Sequence, residues 1–267
     1  MTQALERELE EAVAAAREAA AEILAHYGKG EQVQYKTAIE PVTEADVLAD
    51  RILRTRLMAA FPGDGWLSEE TADDGDRLQK RRVWIVDPLD GTREFIAGRP
   101  EFCVSVALAE DGIPILGVIV NPVTSECWSA RIGHGAALDG APIRVRESRE
   151  LTDVVVSRTE TRGGIMAPFE GRLPLRGVGG MAYKLALVAS GRTDATFTTQ
   201  HRCEWDVAAG AVLVSEAGGR VTGLDGRPLR FNQPSPHLVG VVAANAPVHD
   251  ALLAVLSATG AEQPPRP

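Results

Sequence analysis

A change of rhythm part-way along the chain most constrains what it can fold into. From Val83 onward short apolar runs follow one another closely, at residues 83–86, 102–108, 115–120 and 127–130, with Asp111-Gly112 and Asn121-Pro122 between them. Strand-length runs punctuated by turn-forming pairs predict an antiparallel meander. Beyond about Val145 strands and helices alternate instead. Strands are predicted at 154–156, 195–198 and 238–243, and helices after Met181, over 205–217 and from Pro247. Such alternation is the pattern of an α/β unit. Two helices precede the meander. Leu5, Leu9, Val13, Ala16, Ala20 and Ile23 recur at helical spacing up to Gly28, a residue suited to a C-terminal cap. A second helix is predicted over 43–60, with Leu48, Ile52, Leu53 and Leu57 as its apolar face and Pro62-Gly63 as its stop. The expected fold class is α/β, divided into an N-terminal α+β part over 1–145 and a C-terminal α/β part over 146–267. There are no internal repeats, and the proline-rich tail at 263–267 reads as disordered.

Composition narrows the function classes. With 267 residues and 45% hydrophobic content the chain can bury a substantial core. A formal net charge of −9 and a pI near 5.2 argue against binding a nucleic-acid polymer, which is gripped by clustered Lys and Arg. A small anionic substrate fits if metal cations reverse the local sign. Cys103, Cys127 and Cys203 are odd in number and widely spaced, so neither a disulfide framework nor a zinc site is expected. Glu6, Glu8, Glu10 and Glu11 stand where an export signal would be basic, and the longest apolar run, 113–120, is far short of the roughly 20 residues of a membrane span. A cytoplasmic protein without membrane attachment is expected.

The stretch with most chemical content is Asp87-Pro88-Leu89-Asp90-Gly91-Thr92, directly after an apolar strand. Pro88 fixes its own φ and Gly91 permits a tight backbone, so a turn here can aim two carboxylates at one point and free N–H groups for an anion. Taken alone, a DxxD turn is more commonly a solvated loop. Two further acidic sites are Ser68-Glu69-Glu70 and Asp206 after Trp205. Each has a plain alternative: a charged surface turn for the first, and a carboxylate favouring a helix N-terminus for the second. Phosphate-monoester hydrolysis gives them a common purpose. It is among the slowest uncatalysed reactions, with accelerations reaching ~10²¹-fold. Mg²⁺ prefers oxygen ligands, usually one or two carboxylates plus waters and substrate phosphate, and paired ions can clamp attacking and leaving oxygens.

From near its N-terminus to about residue 245 the sequence resembles the inositol monophosphatase superfamily of lithium-sensitive, magnesium-dependent phosphatases. The resemblance rests on Trp84-Ile85-Val86-Asp87-Pro88-Leu89-Asp90-Gly91-Thr92 and on Trp205-Asp206-Val207-Ala208-Ala209-Gly210 with Glu216-Ala217-Gly218-Gly219. Pro41-Val42-Thr43-Glu44-Ala45-Asp46 and Ser68-Glu69-Glu70 complete it. It implies a layered αβαβα sandwich of the sugar-phosphatase type, with the active site between its two halves. It implies two or three Mg²⁺, for which Mn²⁺ can substitute. Glu69, Asp87 and the Leu89 carbonyl would hold one ion, Asp87, Asp90 and Asp206 a second, and Glu70 would help place a third ion or its water. Thr92 and Asp46 would orient the nucleophilic water, and the Gly91 and Thr92 N–H groups would bind the substrate phosphate. Asp46 has an equally simple reading in a helix cap with Thr43. Homodimers are usual in the superfamily, and the implied partner is a small phosphorylated metabolite.

Within that superfamily the chain resembles the bacterial 3′(2′),5′-bisphosphate nucleotidases most, through Arg93-Glu94-Phe95-Ile96, Ser157-Arg158-Thr159, and Gly180 followed by Lys184. Met181-Ala182 departs from their Ser-Ser. The acid that inositol phosphatases place seven positions before the last metal Asp is here Thr199. A bisphosphate brings a second phosphate that fixed cations must match, and Arg158 and Lys184 are the candidates. The substrate expected is adenosine 3′,5′-bisphosphate, with inositol 1-phosphate or another sugar phosphate as the alternative. Other mechanisms fit worse. Pro88 stands where haloacid-dehalogenase phosphatases have their nucleophilic Asp. The positions six after each cysteine are Ala109, Gly133 and Ala209, none an arginine. No GxSxG accompanies His26, His134, His201, His237 or His249. A non-catalytic binding homologue is the remaining alternative, and the complete acidic set argues against it.

Overall fold

A computed structural model describes residues 5–30, 33–35 and 41–259, so the expectation for the tail at 263–267 lies outside the described residues. Helix α1 (Glu6–His26) runs to the predicted stop, where Gly28 has φ +75°. A short antiparallel pair, β1 (Gln34–Tyr35) with β2 (Pro41–Val42), leads into α2 (Glu44–Ala60), which starts after Thr43 as the sequence suggests. α1 buries Ala12, Ala15, Ala16, Ala19 and Ile23, and these small residues let it lie close along Ala45, Ala49, Leu53 and Leu57 of α2.

The larger sheet has seven strands in chain order: β3 (Gly65–Ser68), β4 (Arg82–Asp90), β5 (Cys103–Glu110), β6 (Ile113–Val120), β7 (Cys127–Arg131), β8 (Ala136–Leu138) and β9 (Ala141–Ile143). β3 and β4 are parallel, and every later neighbour is antiparallel. Helix α3 (Thr92–Ile96) connects β4 to β5. The smaller sheet holds β10 (Val154–Ser157), β11 (Leu175–Val178), β12 (Ala195–Cys203), β13 (Arg220–Thr222) and β14 (His237–Ala244), in the order β11-β10-β12-β14-β13. Its first three are parallel, and β14 runs antiparallel to both its neighbours. The helices of this part are α4 (Arg158–Arg162), α5 (Met181–Ala189), α6 (Glu204–Glu216) and α7 (Ala246–Ala258).

Among the described residues, side-chain alternation along the strands builds three large cores, with a small fourth cluster of Val155, Val178 and Leu187, and the elements stack in five layers. On β4, Trp84 and Val86 face α1 and α2, while Val83 and Ile85 face α5 and α6. On β14, Val241 and Ala243 join that same middle core, and Val242 and Ala244 face α7. The order is helices, sheet, helices, sheet, helices. Each fully buried Val, Leu, Ile, Phe or Met side chain in these cores contributes about 1.5–3 kcal/mol relative to exposure, and each alanine less. α6 passes so close to the large sheet that a side chain at Gly117 would meet the Ala209 carbonyl. The strands that the sequence did not signal, β1, β2, β3, β8, β9, β11 and β13, are two to four residues long, too short to show a period. Among the described residues no helix is long and apolar enough to cross a membrane.

Candidate active site

The Asp87–Thr92 turn owes its shape to an irregularity in β4. Asp87 pairs with Ser105 and Asp90 with Cys103, so three steps on β4 match two on β5. Side chains three apart on a regular strand point to opposite faces. The extra residue of the bulge resets the alternation and turns both carboxylates to one side. Pro88 sits inside the bulge, where a ladder hydrogen bond is already missing. Asp87 accepts a hydrogen bond from Leu89 N at 3.0 Å. Asp90 reaches the start of α5, accepting from Met181 N at 2.8 Å and Tyr183 N at 3.2 Å. Gly91 has φ +97°, and a Cβ there would come within 3.0 Å of the Glu101 carbonyl oxygen, so only glycine suits the position.

The other segments converge on this turn. Helix α2 brings Asp46, whose Oδ2 accepts from Thr43 N at 2.7 Å and Thr43 Oγ1 at 2.6 Å, while Oδ1 accepts from Thr92 Oγ1 at 3.0 Å. The helix-cap and site readings of Asp46 therefore describe the same side chain. One turn further along α2, Asp50 accepts from Ser68 Oγ at 2.5 Å and from Thr71 Oγ1 at 2.7 Å. It thereby anchors both ends of the loop that carries Glu69 and Glu70. Asp206 lies in the first turn of α6, with Cys203 N at 3.4 Å from its Oδ2.

Glu69, Asp87, Leu89, Asp90, Gly91, Thr92, Arg158, Lys184 and Asp206 all line one cavity of about 440 Å³ between the two sheets. Asp46 lies behind Thr92, and Glu70 is not among the residues lining the cavity. The electrostatics show how tightly the acids are grouped. Burial pushes the Asp87 carboxyl well above the usual carboxylate range, and Glu69, Asp90, Asp206 and Asp46 push it further. Burial, then Asp90 and Glu69, raise Asp206 to about 8. Like charges gathered out of water call for a cation. The donors are carboxylates and a carbonyl, the oxygen set that suits a hard divalent ion. Among the described residues no three His, Cys, Asp or Glu side chains already enclose a point as a preformed cage would. Mg²⁺ usually takes one or two carboxylates and fills the rest of its shell with waters and substrate oxygens, which suits this donor set.

The two nominated cations differ from a pair of free phosphate anchors. The Arg158 guanidinium is engaged by Glu94 and Glu101, with a further bond to the Gly177 carbonyl at 3.2 Å. Lys184 is buried and donates from Nζ to the Gly180 carbonyl at 2.6 Å. Burial lowers its pKa against the opposing pull of Asp90 and Asp206, so its charge is already set against the acidic cluster. Also lining the cavity, Glu160 accepts from Thr198 Oγ1 at 2.9 Å and is paired with Arg202. Thr199 is buried and contacts Gln200. Sequence reasoning missed Asp50, Glu101, Glu160 and Arg202. Only Asp50 carries a local signal, a carboxylate one turn from Asp46 on an otherwise core-facing helix stripe.

Comparison with known proteins agrees with this architecture. Residues 4–260 match the model of the inositol monophosphatase family. Inositol monophosphatase 2 of Solanum lycopersicum is 34% identical, over 95% of this chain and 99% of that protein. The Thermotoga maritima inositol monophosphatase structure superposes with a TM-score of 0.83 at 31% identity, covering 95% of this chain and 98% of the other. CysQ from Bacteroides thetaiotaomicron gives a TM-score of 0.76 at 29% identity, with 92% and 99% covered. The chain belongs to the inositol monophosphatase family, and with that family it is a metal-dependent phosphoric monoester hydrolase.

Proposed function

We propose that this enzyme uses Mg²⁺ to hydrolyse the monophosphate of a small polyol or sugar, with inositol 1-phosphate as its reference substrate. The observation that carries the reading is the convergence of Glu69, Asp87, Asp90 and Asp206, from three separate parts of the chain, on one cavity. Glu69, Asp87, the Leu89 carbonyl, Asp90 and Asp206 would hold two ions, with Glu70 assisting a third. Bound ions supply charge neutralisation at the phosphoryl group and a water of lowered pKa.

The chain's own residues do the rest. Thr92 has one hydroxyl proton, with Asp46 at 3.0 Å and the Leu89 carbonyl at 3.1 Å as acceptors. Giving it to Asp46 leaves the Leu89 oxygen for an ion and the Thr92 lone pairs for a proton from the attacking water. Asp46 is itself fixed by two bonds from Thr43, which holds this acceptor in place. The N–H groups of Gly91 and Thr92 would orient the phosphate. A single phosphate is favoured over two because Arg158 already satisfies Glu94 and Glu101 and Lys184 is buried against the acids.

A second reading, a 3′(2′),5′-bisphosphate nucleotidase, is supported by Ser157, Arg158 and Thr159 lining the same cavity. It needs Arg158 to exchange two carboxylates for a phosphate. Parallel assays of phosphate release from inositol 1-phosphate, adenosine 3′,5′-bisphosphate and fructose 1,6-bisphosphate separate these readings. A kcat/KM highest for inositol 1-phosphate supports the first. A preference for adenosine 3′,5′-bisphosphate replaces it with the second, and no release from any of them with Mg²⁺ rejects both.

A further inference from the structure

Away from the cavity, a buried polar unit joins three segments that no sequence motif connects. Arg77 lies in a 3-10 turn (Asp76–Gln79) between the Glu69–Glu70 loop and β4, and it is only 2% exposed. Its Nε and Nη2 donate to Asp73 Oδ2 at 3.0 and 2.8 Å. Its Nη1 donates to Asn232 Oδ1 at 2.7 Å and its Nη2 to the Gln233 carbonyl at 3.0 Å. The other edge of the same short segment belongs to Glu204, whose carboxylate accepts from Asn232 N at 2.5 Å and Gln233 N at 2.9 Å. Glu204 is fully buried and is the first residue of α6, two before Asp206.

Burying a guanidinium and a carboxylate carries a large desolvation cost, and well-packed apolar residues of similar volume often fill such a site as stably. What the polar unit adds is direction. The 232–233 segment is gripped on both edges, from one side by the loop that follows Glu69 and from the other by the helix end that presents Asp206. Asn232 is held at φ +55°, a left-handed conformation that the surrounding bonds over-determine. We infer that Arg77 and Glu204, acting through residues 232–233, are positioning residues that fix the Glu69 loop against the first turn of α6 and so set the affinity of the acidic cluster for a divalent cation. The inference rests on the metal reading above and deepens it. Outer contacts that orient metal-binding groups typically change affinity 10–100-fold when removed.

The test is Mn²⁺ binding to the full chain, followed by electron paramagnetic resonance of free ion without substrate, in wild type, Arg77→Met and Asn232→Gly. Thermal melts alongside give the folded fraction. Glycine accepts the backbone of position 232 without strain and removes only the side chain that Arg77 grips, so it stays interpretable if Arg77→Met fails to fold. The expected result is that affinity per folded molecule falls at least ~10-fold in Arg77→Met and by a smaller, resolved factor in Asn232→Gly. A merely structural role would lower the melting temperature and leave affinity per folded molecule alone; wild-type affinity in folded Asn232→Gly overturns the inference. Wild-type protein that binds no Mn²⁺ overturns the metal reading itself, a separate failure that the wild-type titration reveals before any variant is compared.

Discussion

Gly180 is where the fold and the proposed chemistry press on each other most closely. It precedes α5 at φ +61°, and a Cβ built there would lie 2.7 Å from Asp90 Oδ2, 3.1 Å from Tyr183 Cβ and 3.3 Å from the Glu101 carbonyl oxygen. Gly180→Ala therefore has two effects. The backbone is forced into a region that L-residues avoid, at about 1–3 kcal/mol. The Asp90 carboxylate must also retreat by about 0.7 Å to regain ordinary contact. That movement strains its hydrogen bonds from Met181 N and Tyr183 N. Bonds to a charged group contribute about 1.5–3 kcal/mol each, and partial loss brings the total to roughly 2–4 kcal/mol. At ~2–4 °C per kcal/mol for a chain of this size, the melting temperature should fall by roughly 4–16 °C. Displacing a proposed metal-holding carboxylate by this much should lower kcat about 100-fold at saturating Mg²⁺. Calorimetric melts and phosphate-release kinetics on inositol 1-phosphate read both. A variant that melts within about a degree of wild type and keeps its kcat within about twofold would refute the reasoning.

Thr92→Val, which keeps shape and removes the hydroxyl, should lower kcat by ~10²–10⁴-fold while Thr92→Ser retains activity; near-normal turnover in the valine variant would remove Thr92 from the proton path. Asp206→Asn should abolish turnover and, in EDTA, melt no lower than wild type, because one of several repelling buried carboxylates is gone. A clear drop in metal-free melting temperature would contradict that. Asp194 provides a pH test. Burial alone would raise its carboxyl, but bonds from Thr152 and Asp153 and the charge of Arg146 outweigh it and hold it below the ordinary 3.8. Its stabilisation is thus complete above that ordinary value and lost as pH falls through the lowered folded value. Asp194→Ala, which strands Thr152 and Arg146, should cost about 2–4 kcal/mol near neutral pH. The deficit should shrink on acidification, and a deficit that does not change with pH would refute the assignment.

What the sequence revealed was whatever one segment could specify alone. The Asp87–Thr92 turn, the start of α2 at Thr43 and the helix start carrying Asp206 each show as a local pattern, and each stands where it was expected. The bulge that turns Asp87 and Asp90 to one face was not legible, because it exists only as a mismatch of count between β4 and β5. Partners across the fold were hidden for the same reason. Arg158 reads as a free cation until Glu94 and Glu101 are seen to claim it, and the partners of Asp50, Ser68 and Thr71, lie on a loop that its own helix does not specify. The short strands β8 and β9 form because the preceding hairpins bring an edge to them, not because three residues have a preference of their own.

The central claim is that Glu69, Asp87, Asp90 and Asp206 face one another to hold divalent ions. A crystal grown with Mn²⁺, with anomalous difference maps recorded at the manganese edge, tests it most directly. Peaks bounded by the Asp87 and Asp90 carboxylates, with Glu69 and Asp206 among the ligands, are the expected result. Maps without a peak in this cavity, or with Asp206 turned away from an ion bound at Asp87, would contradict the account.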